Sequence, residues 1–171
     1  TALSSNATLS VVLASSFANA QSVTIPEGGP AATYPSTILV SGMAGPVVKV
    51  TATLSNLNHT WPDDLDILLA GPGGQTVMLV SDAGGSADVA NLTLAFDPAI
   101  ASLLPDDGQL TSGMTHPTDY VTGDPFPAPA PAGPYGTDLT VFNGTDPNRL
   151  WQLFVYDDSG GDSGALNGGW S

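Results

Sequence analysis

Glycine and proline punctuate this chain so densely that few long helices can form: 20 Gly and 15 Pro occur in 171 residues. Proline lacks a backbone donor and clashes with the preceding helical turn, and glycine loses the most conformational freedom on ordering. The runs between them alternate like strands. In residues 65–70, Leu65, Ile67 and Leu69 share one face. Pro72-Gly73-Gly74 supplies the fixed and positive φ of a tight turn. Residues 76–80 read as the returning strand, so 65–80 is predicted to be a hairpin.

Further strands are expected at 22–25, 37–40, 91–96, 139–142 and 150–156. Residues 47–54 alternate cleanly, with Val48, Val50, Ala52 and Leu54 facing one way and Val47, Lys49, Thr51 and Thr53 the other. An edge strand is expected at 10–13 and one helical turn at 99–104. Residues 104–135 are the least structured, and Phe126-Pro127-Ala128-Pro129-Ala130-Pro131 predicts an extended polyproline segment laid over the surface. Short strands with turn signals and no helical periodicity indicate an all-β, two-sheet antiparallel β-sandwich. Residues 22–171 are read as that sandwich, with a Pro/Ala-rich inserted loop at 124–135, and residues 1–21 as an N-terminal strand or linker region.

Charge narrows the partners. Sixteen acidic residues face two basic ones, Lys49 and Arg149, for a net charge of −14, and every acid except Glu27 is Asp. Nucleic acid is excluded as a partner, because phosphate binding needs clustered Lys or Arg. An anionic membrane surface would repel the chain, and no apolar run approaches the ~20 residues that span a bilayer. With no cysteine, disulfides and thiolate metal sites are ruled out, but secretion is not. Ala18-Asn19-Ala20 has the form of a signal cleavage site, yet the segment before it carries no positive charge.

Aspartate crowds where strands should meet. If consecutive strands run antiparallel, the end of 47–54, the start of 65–70, the end of 76–80 and the end of 150–156 fall at one pole. That gathers His59, Asp63, Asp64, Asp66, Asp82, Asp157, Asp158 and Asp162. Two like charges ~4 Å apart repel by about 4 kcal/mol at an effective dielectric of 20. The pole must splay into water, raise some pKa values, or bind a hard cation. Calcium is the expected cofactor, because it takes six to eight oxygens in flexible geometry and Asp-Gly loops provide carboxylates and carbonyls. The candidate ligands are Asp63, Asp64, Asp66, Asp82, Asp157, Asp158 and Asp162. The loop 157–164 is not an EF-hand, lacking the bidentate Glu at its twelfth position.

Other motifs carry less. Gly161-Asp162-Ser163-Gly164 copies part of the surroundings of a serine-protease nucleophile, but a triad also needs a positioned base and an oxyanion hole. His59 and His116, the only histidines, stand in no zinc spacing. Paired aspartates can serve glycoside hydrolysis, but no cleft-forming residues accompany them. Asn6, Asn58, Asn91 and Asn143 each begin an N-x-T sequon and receive no role. Trp151 and Trp170 read as core. Trp61, beside Pro62, reads as an exposed ring and a possible sugar- or surface-binding platform.

His59-Thr60, Asp64-Leu65, Ile67, Leu69, Gly71-Pro72 and Gly74-Gln75 resemble the signature of the P domain that follows the subtilisin-like catalytic domain of kexin- and furin-type proprotein convertases. Asn148, Trp151, Leu153, Val155, Asp157, Gly164, Leu166 and Trp170 stand in the order of that family's closing motif. The resemblance runs from about Ile38 to Trp170 and is similar to the bacterial branch. It implies a jelly-roll-like, galactose-binding-domain-like sandwich without catalytic residues. It also implies a secreted, bacterial protein in which this module stabilises or regulates a linked hydrolase. The Pro/Ala segment from Pro125 to Pro134 departs from the convertase pattern, so convertase interface roles are not carried over. The family's last strand continues beyond the position of Trp170, so a neighbouring strand edge is expected to be exposed.

Overall fold

A computed structural model describes residues 14–171; the strand expected at 10–13 lies outside them. Eleven strands follow in chain order: β1 (Val23–Ile25), β2 (Gly29–Pro30), β3 (Ser36–Val40), β4 (Ala52–His59), β5 (Leu65–Ala70), β6 (Thr76–Ser81), β7 (Val89–Phe96), β8 (Gly113–Thr115), β9 (Thr118–Asp119), β10 (Arg149–Asp157) and β11 (Gly164–Leu166). They form two sheets, ordered β1-β11-β4-β7-β8 and β2-β10-β5-β6-β9, with β3 also paired to β10. The protein is an all-β sandwich. Among the described residues the only helical segments are two 3-10 turns, Pro62–Asp64 and Leu139–Phe142, and no helix is long and apolar enough to cross a membrane.

The 65–80 hairpin forms as predicted. β5 and β6 pair antiparallel, Leu69 opposite Val77, and Gly71 and Gln75 close the turn through a 2.9 Å backbone bond. Leu65, Ile67 and Leu69 face the main core with Leu54, Leu57, Phe96 and Leu153. The opposite row of β5 is buried as well: Leu68 and Ala70 join Phe154 in a second cluster, against which Tyr34, Phe126, Ala130 and Tyr135 pack. The proline-rich segment is therefore a strap over the outside of this sheet. The Tyr34 hydroxyl donates to the Pro127 carbonyl at 3.0 Å, and Phe126 meets Tyr135 edge-on at 5.5 Å. Burying one such aromatic ring contributes about 2–3 kcal/mol. Because side chains alternate along a strand, Asp66 shares the strap-covered face with Leu68 and Ala70.

Four expectations are corrected. The sheets are mixed, not purely antiparallel: β6–β9 and β7–β8 run parallel. The strand expected at 47–54 is displaced to 52–59. The partner β7 ends with Phe96 opposite Ala52, and before that point Val47 instead exchanges backbone bonds with Gly144 and Thr145. A strand extends only where its backbone groups find partners. Val48, read as sharing a face with Val50, Ala52 and Leu54, is exposed, whereas Ala52 and Leu54 are buried. Further along β4, Asn56 at φ 56° sits where the register to β7 shifts. Asparagine tolerates this left-handed conformation, and the bulge re-aims the strand so that Leu57 and His59 are both buried. Residues 139–142 form a 3-10 turn rather than a strand, because the Asp138 carboxylate accepts the Thr140 N–H at 2.8 Å and caps it. Residues 99–104 form no helical turn; Ile100 N–H closes a single turn on the Asp97 carbonyl.

Candidate metal centre

The topology assembles the acidic pole strand by strand. β10 pairs antiparallel with β5, which sets Asp157 opposite Leu65 and Tyr156 opposite Asp66. β4 arrives at the same end with His59, and Gly164 of β11 lies opposite it. Pro62 starts the 3-10 turn that holds Asp63 and Asp64 just before β5. β6 ends at Ser81, and the parallel β9 places Asp119 opposite Ser81. Both cations are elsewhere. Arg149 begins β10, at the far end. Lys49 precedes β4 and pairs with Asp97 at 2.7 Å.

Two groups of three carboxylates result. Asp66, Asp124 and Asp158 bring ligand-capable oxygens within 4.8 Å of one another, and so do Asp82, Asp119 and Asp124. Asp124 belongs to both. Asp66 is only 3% exposed. Ser81 Oγ donates to Asp82 Oδ2 at 2.8 Å and lies 3.2 Å from Asp124 Oδ2. That hydroxyl also hydrogen-bonds Asp66, so one hydroxyl proton is shared among three carboxylates. Asp119 Oδ1 is buried without a partner. Unpaired buried carboxylate oxygens are costly and call for an explanation.

Proton affinity follows from that geometry. Burial, aided by the neighbouring charges of Asp124, Asp158 and Asp82 and opposed by a hydrogen bond from Ser81, pushes the Asp66 carboxyl up to about 8. Asp64 rises to about 6, chiefly by burial and then by Asp157, Asp158 and Asp162, with His59 opposing. Burial and like charges also raise Asp82, Asp119 and Asp158. Without a cation the pole holds protons at pH values where an ordinary aspartate is ionised. The donor set suits a hard cation: it is all oxygen, and three oxygens spaced as these are can surround one ion at the 2.3–2.6 Å of calcium coordination.

Of the seven carboxylates expected as ligands, Asp66, Asp82 and Asp158 enter these triads. Asp63 Oδ1 accepts the Gly85 N–H at 3.3 Å, and its charge is felt at Asp82. Asp64 and Asp162 lie close enough to repel each other. Asp157 is turned away into a fully buried contact, its Oδ2 3.2 Å from His59 Nε2 and its Oδ1 accepting the Ser159 N–H at 3.1 Å. His59 Nδ1 sits 2.8 Å from the Trp61 carbonyl, so both ring nitrogens are occupied. Ser163 is exposed in its loop, its backbone N–H directed at Thr60 Oγ1 at 3.3 Å. Trp61 is 41% exposed. Asp119 and Asp124 were missed by sequence reasoning; they bracket the Gly123 turn in a stretch without periodicity.

No family model matches the chain, and no solved structure matches it. Among curated proteins, leupeptin-inactivating enzyme 1 of Streptomyces exfoliatus is 40% identical over 73 residues. The alignment takes in 43% of this chain and 16% of that enzyme. A segment of this sandwich is thus shared with a small part of a longer bacterial enzyme.

Proposed function

We propose that this chain is a non-catalytic, calcium-binding accessory module that stabilises or regulates a linked secreted hydrolase, of subtilisin-like or other type. The observation that carries the reading is Asp66: a carboxylate 3% exposed, set against Asp124 and Asp158 at a pole that neither Lys49 nor Arg149 reaches. A divalent cation held by these carboxylates, with water and backbone carbonyls, offsets a charge that the fold otherwise buries at a cost. Two further observations support an accessory role. The histidine nearest the loop of Ser163 has both ring nitrogens engaged. The relative from Streptomyces, an enzyme by its name, shares only a small part of its length with the chain, as an appended module would. That relative also supports a bacterial origin, and secretion is part of the proposal. The residue pattern of the kexin/furin-type P domain points the same way.

The test is thermal unfolding of the isolated domain. Calcium at 1 mM is expected to raise the melting temperature by several degrees over EDTA, and a peptide substrate panel should show no turnover. An unchanged melting temperature would sink the calcium reading, and turnover would sink the accessory one. Exposed Trp61 favours a second reading, a carbohydrate- or surface-binding module. Polysaccharide titration should then quench tryptophan fluorescence, and Trp61→Ala should abolish the response.

A further inference from the structure

We propose that the end of the sandwich opposite the acidic pole is a docking edge: an extended segment of a partner protein lies along β3, seats apolar side chains on Leu39 and Leu150, and brings a carboxylate to Arg149. Sheet edges carry unpaired backbone groups, and native proteins keep them short, charged or covered. The other strands that end a sheet, β1, β2, β8 and β9, are two or three residues long. β3 has five, Ser36-Thr37-Ile38-Leu39-Val40, with no charge and no proline. It pairs with β10 alone. On its other side the Asn19 side chain donates to the Thr37 carbonyl at 3.1 Å, so Thr37 faces away from β10. Backbone direction alternates along a strand. The N–H and C=O of Leu39 therefore also point off the sheet, one step beyond that contact.

Two leucines mark the same place. Leu39 stands directly opposite Leu150, and they are 64% and 48% exposed. Both lie on the outer row of their strands, because Ile38, Val40, Trp151 and Leu153 fill the core. β5 pairs with β10 only from Gln152 onward, and the strap packs on Leu68, Ala70 and Phe154, so neither covers them. Arg149 supplies the chemistry. Lys49 is engaged by Asp97, whereas Arg149 pairs with no carboxylate among the described residues. Its nearest acid in sequence, Asp146, turns Oδ1 to the N–H and Nδ2 of Asn148. Arg149 lies opposite buried Val40 and two residues before Trp151, so a regular pleat would aim it at the core. It is exposed instead, with φ at 119°, a backbone region costly for any residue with a side chain. Glycine would take that conformation without strain, so an arginine held there calls for an anion. A second copy paired edge to edge would bring Arg149 another arginine; the occupant is a segment that carries Asp or Glu. It would lie two strand spacings, about 10 Å, from β10, within the combined reach of Arg and Glu side chains. The aspartates of the far pole are screened beyond about 8 Å at physiological salt and do not oppose its approach.

The experiment follows the fluorescence anisotropy of a labelled peptide of alternating Val and Glu, flanked by Gly-Ser, as the whole chain is added. A peptide of alternating Val and Lys serves as its counterpart. The Glu peptide is expected to bind, more weakly as salt is raised, and the Lys peptide is not. Leu39→Lys and Arg149→Gln should each weaken binding about tenfold, the worth of one contact. Arg149→Gly should weaken it as much with no loss in melting temperature, because relief of strain offsets the added freedom of the unfolded chain. A role confined to folding would instead lower the melting temperature and leave peptide binding alone. No binding of the Glu peptide, or equal binding of both peptides, would overturn the proposal. Sedimentation of the chain alone tests the other occupant: a dimer that Leu39→Lys turns into a monomer would give the edge to a second copy and overturn a partner segment.

Discussion

Asp66 is the residue whose chemistry and position are most at odds, because it is a carboxylate on the row of β5 that is otherwise Leu68 and Ala70. Asp66→Asn keeps the shape and removes the charge. In calcium-free buffer at pH 8 it should stabilise the domain by about 1–3 kcal/mol, since burying a carboxylate among like charges is costly. In calcium the gain should shrink or reverse; urea denaturation with and without EDTA checks both arms. His59 poses the opposite case. It and Asp157 are fully buried against each other at 3.2 Å, so His59→Ala leaves a carboxylate without its partner. A loss of about 3 kcal/mol is expected, nearly independent of calcium, which separates this contact from the metal centre in the same titration.

At the scale of elements, the strap and the β4–β11 seam are the points to probe. Phe126 packs on Tyr135 and lies 6.1 Å from Tyr156. Phe126→Ala should cost about 2–3 kcal/mol and expose the cluster of Leu68 and Phe154, visible as dye binding before global unfolding. A side chain at Gly164 would collide with the Asn58 carbonyl and the His59 ring. Gly164→Ala should therefore lift β11 from β4, lowering stability by about 3 kcal/mol. The elements legible in the sequence were those whose alternation coincides with available partners, as in β5, β6 and β10. The run 47–54 alternates just as cleanly, yet pairing begins only at Ala52, because β7 reaches no further. Leu139-Thr140-Val141-Phe142 has strand composition, but an Asp138 cap outweighs it. Asp63 to Asp66 advertised the pole by crowding alone. Asp119 and Asp124 did not, because the parallel pairing of β9 with β6 that delivers them has no signature in a run of turns and prolines.

For the whole molecule, pH and calcium should act against each other. Asp66, at about 8, and Asp64, at about 6, both lie above the ~4 of an unfolded aspartate. The folded state then binds more protons than the unfolded chain between these values, so calcium-free stability falls as pH rises from about 4 to 8. Calcium needs the ionised carboxylates and should flatten or invert that slope. Scanning calorimetry from pH 5 to 8, with EDTA and with calcium, reads the two slopes directly. A calcium-free profile that climbs with pH would contradict the assigned proton affinities.

The confinement of Lys49 and Arg149 to the end away from the acidic pole makes the domain a lopsided electrical object. In a field, or near a charged wall, such a body turns end-on, and screening within about 8 Å at physiological salt limits the torque to close range. Each calcium ion held at the pole would cancel two of its fourteen excess negative charges, all at one tip. Migration in a native gel should slow accordingly, and the tip that led the molecule toward anything cationic would lose much of its pull.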